Sequence, residues 1–172
     1  MNIFDSHAAD ISCIRPMTRD EIPHCVEVIR RGFVTVAQEF GFTKEASPKF
    51  TGFSINTERL YYQFDIEKRP MLVYESDGKI VGYYSQSLPK DGRVELCNLA
   101  VLPEVRHHGI GKMFVEHCRK TAKANGCDSI FVSIVEENRR LKKWYQSLGF
   151  VQLEVKKLDG FEFNCGFYVK YI

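Results

Sequence analysis

Leu99-Ala100-Val101-Leu102-Pro103-Glu104-Val105-Arg106-His107-His108-Gly109-Ile110-Gly111-Lys112 runs from an apolar segment, through a proline, to two glycines one residue apart. An apolar run stopped by proline reads as the end of a strand. The residues after the glycines have helical spacing. Ile110, Met113, Phe114, Cys118, Thr121 and Ala122 share one face, and Lys112, Glu116, Arg119, Lys120 and Lys123 share the other. Asn125-Gly126 stops that helix, and the β-branched run Ser129–Val135 follows. Strand, helix and strand at this length make a βαβ unit, with its two strands parallel and its crossover right-handed.

The joint between strand and helix carries chemistry. A helix start presents unpaired N–H groups and about half a positive charge. Glycines let an anion approach that backbone closely. Gly109–Lys112 is therefore predicted to cradle a phosphate, with Arg106, His107 and Lys112 adding positive potential. Two rival anion loops fail on residue identity. A Walker A loop needs glycine where Arg106 stands and Ser or Thr where Met113 stands. A dinucleotide G-x-G-x-x-G needs glycine at Phe114.

N-terminal to the unit, Met71–Tyr74, Ile80–Ser85 and Arg93–Leu102 alternate with Asp77-Gly78 and Asp91-Gly92, which predicts three antiparallel strands in succession. Before them, Ile22, Val26, Ile29, Phe33, Val36 and Phe40 predict a long helix from Asp20 to Phe40. Thr18 and Glu21 offer a capping box, and Gly41 a stop. Phe42–Thr57 reads as a loop or broken helix, Thr57 as the cap of a second helix ending before Pro70, and Ile11–Ile14 as an opening strand. C-terminal to the unit, a short helix runs through Leu141, Trp144, Tyr145 and Leu148. Val151–Lys156 and Phe161–Val169 form a last hairpin about Asp159-Gly160. The fold class is α+β, a mixed sheet with helices on both faces, in one domain over residues 1–172, with 1–10 as a peripheral segment.

Bulk properties narrow the partners. The 172 residues carry a net charge of +2, too little to make nucleic acid or an anionic membrane the main partner. The six cysteines show no C-x-x-C spacing, so no metal site is expected, and they read as small buried residues of a reducing compartment. Neither a signal peptide nor a membrane span is visible, and the expected location is cytoplasmic.

The segment Leu99–Gly111 resembles the central motif of the GCN5-related N-acetyltransferase (GNAT) family: an apolar strand, a proline, then R/Q-x-x-G-x-G/A. Asn138-x-x-Leu141-x-x-Trp144-Tyr145-x-x-Leu148-Gly149-Phe150 independently resembles that family's segment after the fifth strand, with Leu141 where small residues are usual. The element order agrees over roughly the whole chain. The resemblance implies a GNAT-like sheet whose strands Arg93–Leu102 and Ser129–Val135 splay apart to hold acetyl-CoA. The pantetheine arm would pair with Leu99, Ala100 and Val101. The pyrophosphate would sit at Arg106, His107, His108, Gly109, Ile110, Gly111 and Lys112, and Asn138 would touch the pantetheine. Arg139, Arg140, Lys142 and Lys143 lie toward adenine but read first as a solvated helix face.

The implied reaction moves an acetyl group to an amine by direct attack in a ternary complex, with Tyr145 as the acid at sulfur and Glu95 as the base. Glu136 and Glu137 compete with Glu95, and Cys97 offers a covalent alternative. A non-catalytic acyl-CoA sensor of the same fold is the rival class. The acceptor is a small-molecule or peptide amine. Its pocket is expected among Phe33, Phe50, Phe53, Tyr61, Tyr62, Phe161 and Phe163, with acids Glu39, Glu58 and Asp65. A homodimer through the C-terminal strand is left open.

Overall fold

A computed structural model describes residues 13–172. The peripheral segment 1–10 and the start of the Ile11–Ile14 strand lie outside the described residues. The elements are β1 (Ile14–Pro16), α1 (Ile22–Phe40), α2 (Thr51–Ser54), α3 (Thr57–Asp65), β2 (Met71–Ser76), β3 (Lys79–Gln86), β4 (Arg93–Val101), α4 (Ile110–Ala124), β5 (Ser129–Val135), α5 (Arg139–Ser147), β6 (Val151–Lys157) and β7 (Asn164–Tyr171). They form a mixed sheet of seven strands in the order β1-β2-β3-β4-β5-β7-β6. The α+β expectation therefore holds.

Two halves make up the sheet. Strands β1 to β4 form one antiparallel set, and β5 pairs antiparallel with β7 along its whole length, from Ser129↔Tyr171 to Val135↔Cys165. Only the parallel pairs Arg93↔Ser129, Val94↔Ile130 and Glu95↔Phe131 join the halves. Beyond Glu95 and Phe131 the two strands part. A bulge in β4 contributes: Ser85 pairs with Cys97 but Tyr83 pairs with Ala100, so the strand takes an extra residue, and Asn98 adopts a left-handed φ of 52°.

Helices α1 and α4 cover opposite faces. On the α1 side, a Cβ on Gly32 would stand 2.9 Å from Ala100 Cβ, so glycine lets this helix lie close against β4. On the other side, Phe114 packs under Gly82 and against Tyr84, with ring centroids 5.1 Å apart. Tyr84 also sits 2.6 Å from His117 Nδ1 and receives a bond from Gln86 Nε2. Burial lowers the His117 pKa, which keeps its ring neutral and able to accept from the tyrosine.

Some boundaries move relative to the sequence reading. Asn56 rather than Thr57 caps α3, its Oδ1 accepting from Arg59 N at 2.8 Å. A short α2 replaces part of the Phe42–Thr57 loop, and β7 starts at Asn164 because Phe161 and Phe163 turn into an aromatic cluster instead of a ladder. The capping box forms between Thr18 and Glu21. Glu21 accepts from Thr18 N at 2.8 Å, while the Thr18 hydroxyl donates to Asp20.

Glu21 also receives the guanidinium of Arg15, which Glu75 shares, so the triad ties β1 to β2 and to the entry of α1. These bonds hold the Glu21 carboxyl at about 2. An unfolded Glu titrates near ~4.3. Since the folded value is the lower, the contribution is complete above that unfolded value and disappears as pH falls toward the folded one. Glu21→Gln should lower Tm at neutral pH and make Tm fall less steeply between about pH 4.3 and the folded value. An acid limb as steep as wild type in thermal melts would refute the role of this triad.

Candidate active site

A cleft of about 690 Å³ occupies the gap between the parted strands. Leu99, Ala100 and Val101 form one wall and Val132–Val135 the other. Past Glu95, β4 has no strand partner on its β5 side, so its backbone edge faces the cleft. Such an edge accepts an extended ligand as an added strand.

At one end lies the loop between β4 and α4. His107 (φ 67°) and Gly109 (φ 86°) are left-handed, which turns successive amides to one side. The N–H groups of His107, Gly109, Ile110, Gly111 and Lys112 meet no backbone acceptor among the described residues, and the first intrahelical bond in this turn is Met113 N to Gly109 O. Gly111 lies beneath Trp144, where a Cβ would come 3.2 Å from the indole. Lys112 lines the cleft and forms no ion pair among the described residues. This cradle has the donors and the shape for a pyrophosphate.

Arg106 plays a different part from the other basic groups. Its guanidinium turns inward, donating to Val101 O at 3.1 Å, to Thr35 Oγ1 at 3.0 Å and to Gly32 O at 2.8 Å. It thereby latches the end of β4 to α1. Burial first, then nearby Arg140, lowers its pKa. His108 does not line the cleft. Arg140 pairs with Glu39 at 2.7 Å, and Lys142 pairs with Glu136, so two of the four helix cations are spent on carboxylates.

Asn138 is buried, and its Oδ1 caps α5 by accepting from Leu141 N at 3.1 Å. Its amide N–H₂ has no partner among the described residues and lines the cleft, as does Leu141. Tyr145 enters from the same helix, 6% exposed, edge-on to Trp144 and Phe150. Its hydroxyl has no hydrogen-bond partner among the described residues. Burial, then Cys118, drives its pKa up, so the phenol stays protonated.

Glu95 does not line this cleft. It sits at the apex, where strand pairing ends, in an adjoining recess that shares the Val132 wall. Its carboxylate forms no hydrogen bond or ion pair among the described residues. Desolvation raises its pKa against the opposing pull of Arg69. The rival carboxylates are occupied: Glu136 accepts from Tyr168 OH at 2.8 Å and pairs with Lys142, and Glu137 accepts from Asn164 N and Nδ2. Burial, then Glu95, pushes the Cys97 thiol up to about 12, so almost none of it is thiolate at neutral pH.

The acceptor side differs from expectation in part. Phe33, Phe50, Phe161 and Phe163 line the cleft. Phe53 packs behind Phe50 at 5.5 Å, Tyr61 lies under Arg19, Asp65 pairs with Arg19, and Tyr62 and Glu58 are elsewhere on α3. Among the described residues, no group of three or more His, Cys, Asp or Glu is placed to hold a metal, and no helix is long and apolar enough to cross a membrane.

The acetyltransferase (GNAT) family model matches residues 40–150, and the chain belongs to that family. An uncharacterized N-acetyltransferase of Mycobacterium tuberculosis is 26% identical over 101 residues, 59% of this chain and 65% of the relative's length. Bovine thialysine N-epsilon-acetyltransferase is 30% identical over 67 residues, 39% of each chain. Among solved structures, the PaiA N-acetyltransferase of Thermoplasma acidophilum in complex with coenzyme A superposes with a TM-score of 0.74 at 20% identity, over 92% of this chain and 98% of the other. A putative acetyltransferase of Salmonella typhimurium with acetyl-CoA gives 0.71 at 19% identity, over 92% of each. These likenesses establish the fold.

Arg106→Met leaves two carbonyls and a hydroxyl without a charged donor. It should cost roughly 2–3 kcal/mol of stability in urea unfolding. A loss of acetyl-CoA affinity at unchanged stability would show instead that the side chain serves the ligand.

Proposed function

We propose that this protein is an acyl-CoA-dependent N-acyltransferase that moves an acetyl group from acetyl-CoA to an amine by direct attack in a ternary complex. The observation that carries the reading is one continuous cleft with an amide cradle at one end and the protonated, unpartnered Tyr145 hydroxyl within it. Acetyl-CoA supplies an activated thioester. Coenzyme A and acetyl-CoA in the structural neighbours support that choice for this chain. His107, Gly109, Ile110, Gly111 and Lys112 bind its pyrophosphate, the β4 edge at Leu99–Val101 takes the pantetheine amides, and the Asn138 amide adds a donor.

An amine attacks the thioester carbonyl, forming the C–N bond as the C–S bond breaks. The departing sulfur keeps the electron pair and takes the Tyr145 proton. The incoming ammonium first gives one proton to Glu95, directly or through water, and after attack the second nitrogen proton passes to the Tyr145 oxygen, which restores the phenol. A simple alkylamine titrates near ~10.4, so it arrives mostly protonated and needs an acceptor. The raised Glu95 pKa makes it a better base than an ordinary carboxylate. A protonated Cys97 argues against a covalent acyl-enzyme. The free state of the described cysteines, Cys13 to Cys165, fits a reducing cytoplasm.

The competing reading is a sensor that binds acyl-CoA without turnover. A buried hydroxyl and a carboxylate, both without a partner among the described residues, favour catalysis.

Acetyl-CoA should raise Tm by mass action, and Gly109→Glu should abolish the shift. Tyr145→Phe should keep that shift yet lower kcat by roughly 10²–10⁴. No shift with acetyl-CoA, free CoA or longer acyl-CoAs at millimolar concentration would overturn the cofactor assignment. A full shift with no thiol release from any amine would favour the sensor. In pH profiles, kcat/KM should fall on the acid side at a pH above the ordinary carboxylate range, and Glu95→Gln should remove that limb.

A further inference from the structure

The recess beside the cofactor cleft has a charge pattern of its own. It measures about 360 Å³, the small end of ligand-binding cavities. Lys90 and Arg93 bring positive charge to it, and Asp91 and Glu95 negative charge. Among the described residues none of the four forms an ion pair, although ten salt bridges occur elsewhere among them. Charged neighbours that leave one another unpaired can still pair with a ligand.

The rest of the lining is mostly apolar, with two phenylalanines and two valines beside Ser87. Phe131 stands next to Glu95 in the parallel register, and Phe167 lies beyond it on β7. The Arg93 guanidinium sits over the Phe131 ring at 5.1 Å from the centroid, which fixes a cation above an apolar floor. Arg93 and Glu95 are two residues apart on one strand, so they project from the same face about 6.6 Å apart. An amine and a carboxylate on adjacent carbons can bridge such a pair, the amine toward Glu95 and the carboxylate toward Arg93.

From this we infer that the recess is the acceptor subsite, and that it takes a small zwitterion: a free α-amino acid with an apolar side chain. The inference rests on the acetyl-transfer reading for its chemistry, but not for its binding. The recess meets the cofactor cleft at Val132, at the apex where β4 and β5 part, so an amine held there lies beside the parted strands. A peptide N-terminus offers the amine but replaces the carboxylate with a neutral amide, leaving Arg93 and Lys90 unanswered. A polyamine brings charge of only one sign.

The test is calorimetric titration of L-phenylalanine and of L-phenylalaninamide into the enzyme saturated with CoA, with thiol release from acetyl-CoA measured for both compounds. The amide keeps the amine and the ring and loses the carboxylate, so it also stands in for a peptide end. L-Phenylalanine should bind about 10- to 100-fold more tightly than the amide, the range for a hydrogen bond to a charged group. That preference should collapse in Arg93→Met, with acetyl-CoA affinity as the control for folding. Equal binding of the two compounds, no binding of either, or a preference that survives in both Arg93→Met and Lys90→Met would overturn the assignment. Tight, carboxylate-dependent binding without thiol release would sustain the subsite and count against acetyl transfer.

Discussion

Strands β4 and β5 stay together for three residue pairs and then separate, and the rest of the site follows from that separation. Each strand is pulled toward a different half of the sheet. Full-length pairing with β7 commits β5 to one half. The close seat of Gly32 on Ala100 and the Arg106 latch hold β4 to α1 in the other. Backbone polar groups left unpaired in a protein interior are costly unless something satisfies them. An extended ligand with amides of its own would remove that cost, which is the role the proposed function gives the gap.

The same accounting separates residues that hold the structure from residues left for chemistry. Arg106, Arg140 and Lys142 have acceptors within the protein, and the acids Glu39, Glu136 and Glu137 have donors. Around the cleft and its recess, the groups without a partner among the described residues include the amides of His107 and Gly109–Lys112, the Lys112 ammonium, the Asn138 amide, the Tyr145 hydroxyl and Glu95. These face the cleft or its adjoining recess. Desolvation acts in the same sense on Tyr145 and Glu95, raising the pKa of each. It keeps the tyrosine a proton donor and makes the glutamate a stronger proton acceptor, which is the division of labour acyl transfer to an amine requires.

Much of this was legible in the sequence. The strand–Pro–Gly-x-Gly–helix run located the cradle, because local backbone conformation alone decides where helix amides are exposed. The Asp-Gly turns located the strands for the same reason. Side-chain direction was the part that stayed hidden. Arg106 belongs to the motif, yet its guanidinium points into the fold, toward acceptors on α1 more than 70 residues away in sequence. Glu95 is a member of β4 whose position relative to the cleft depends on where pairing with β5 stops, a contact between segments 36 residues apart. Gly32, alone in the apolar stretch of the first helix, was the one available signal for the close approach of α1 to the sheet, and only its partner Ala100 gives it meaning.

The acceptor wall has a further basis. The α1–α2 connection and the β6–β7 connection close on each other: Phe42 stacks on Phe163 with centroids 4.7 Å apart, and the fully buried Ser47 donates to Glu162 Oε2 at 3.0 Å while accepting from Glu162 N. Lys49 N donates to Gly160 O as well. Two segments more than 100 residues apart in sequence therefore form one surface. The cofactor half of the cleft is instead built from nearly contiguous chain, β4 through α5. Local sequence can preserve the cradle while the distant wall varies, since no backbone feature of the cradle depends on which rings stand opposite. In this protein apolar rings stand along the cleft and charge gathers at its apex, on Lys90, Asp91, Arg93 and Glu95, so under the proposed function selectivity for an acceptor would fall to charge at the apex and to shape along the rings.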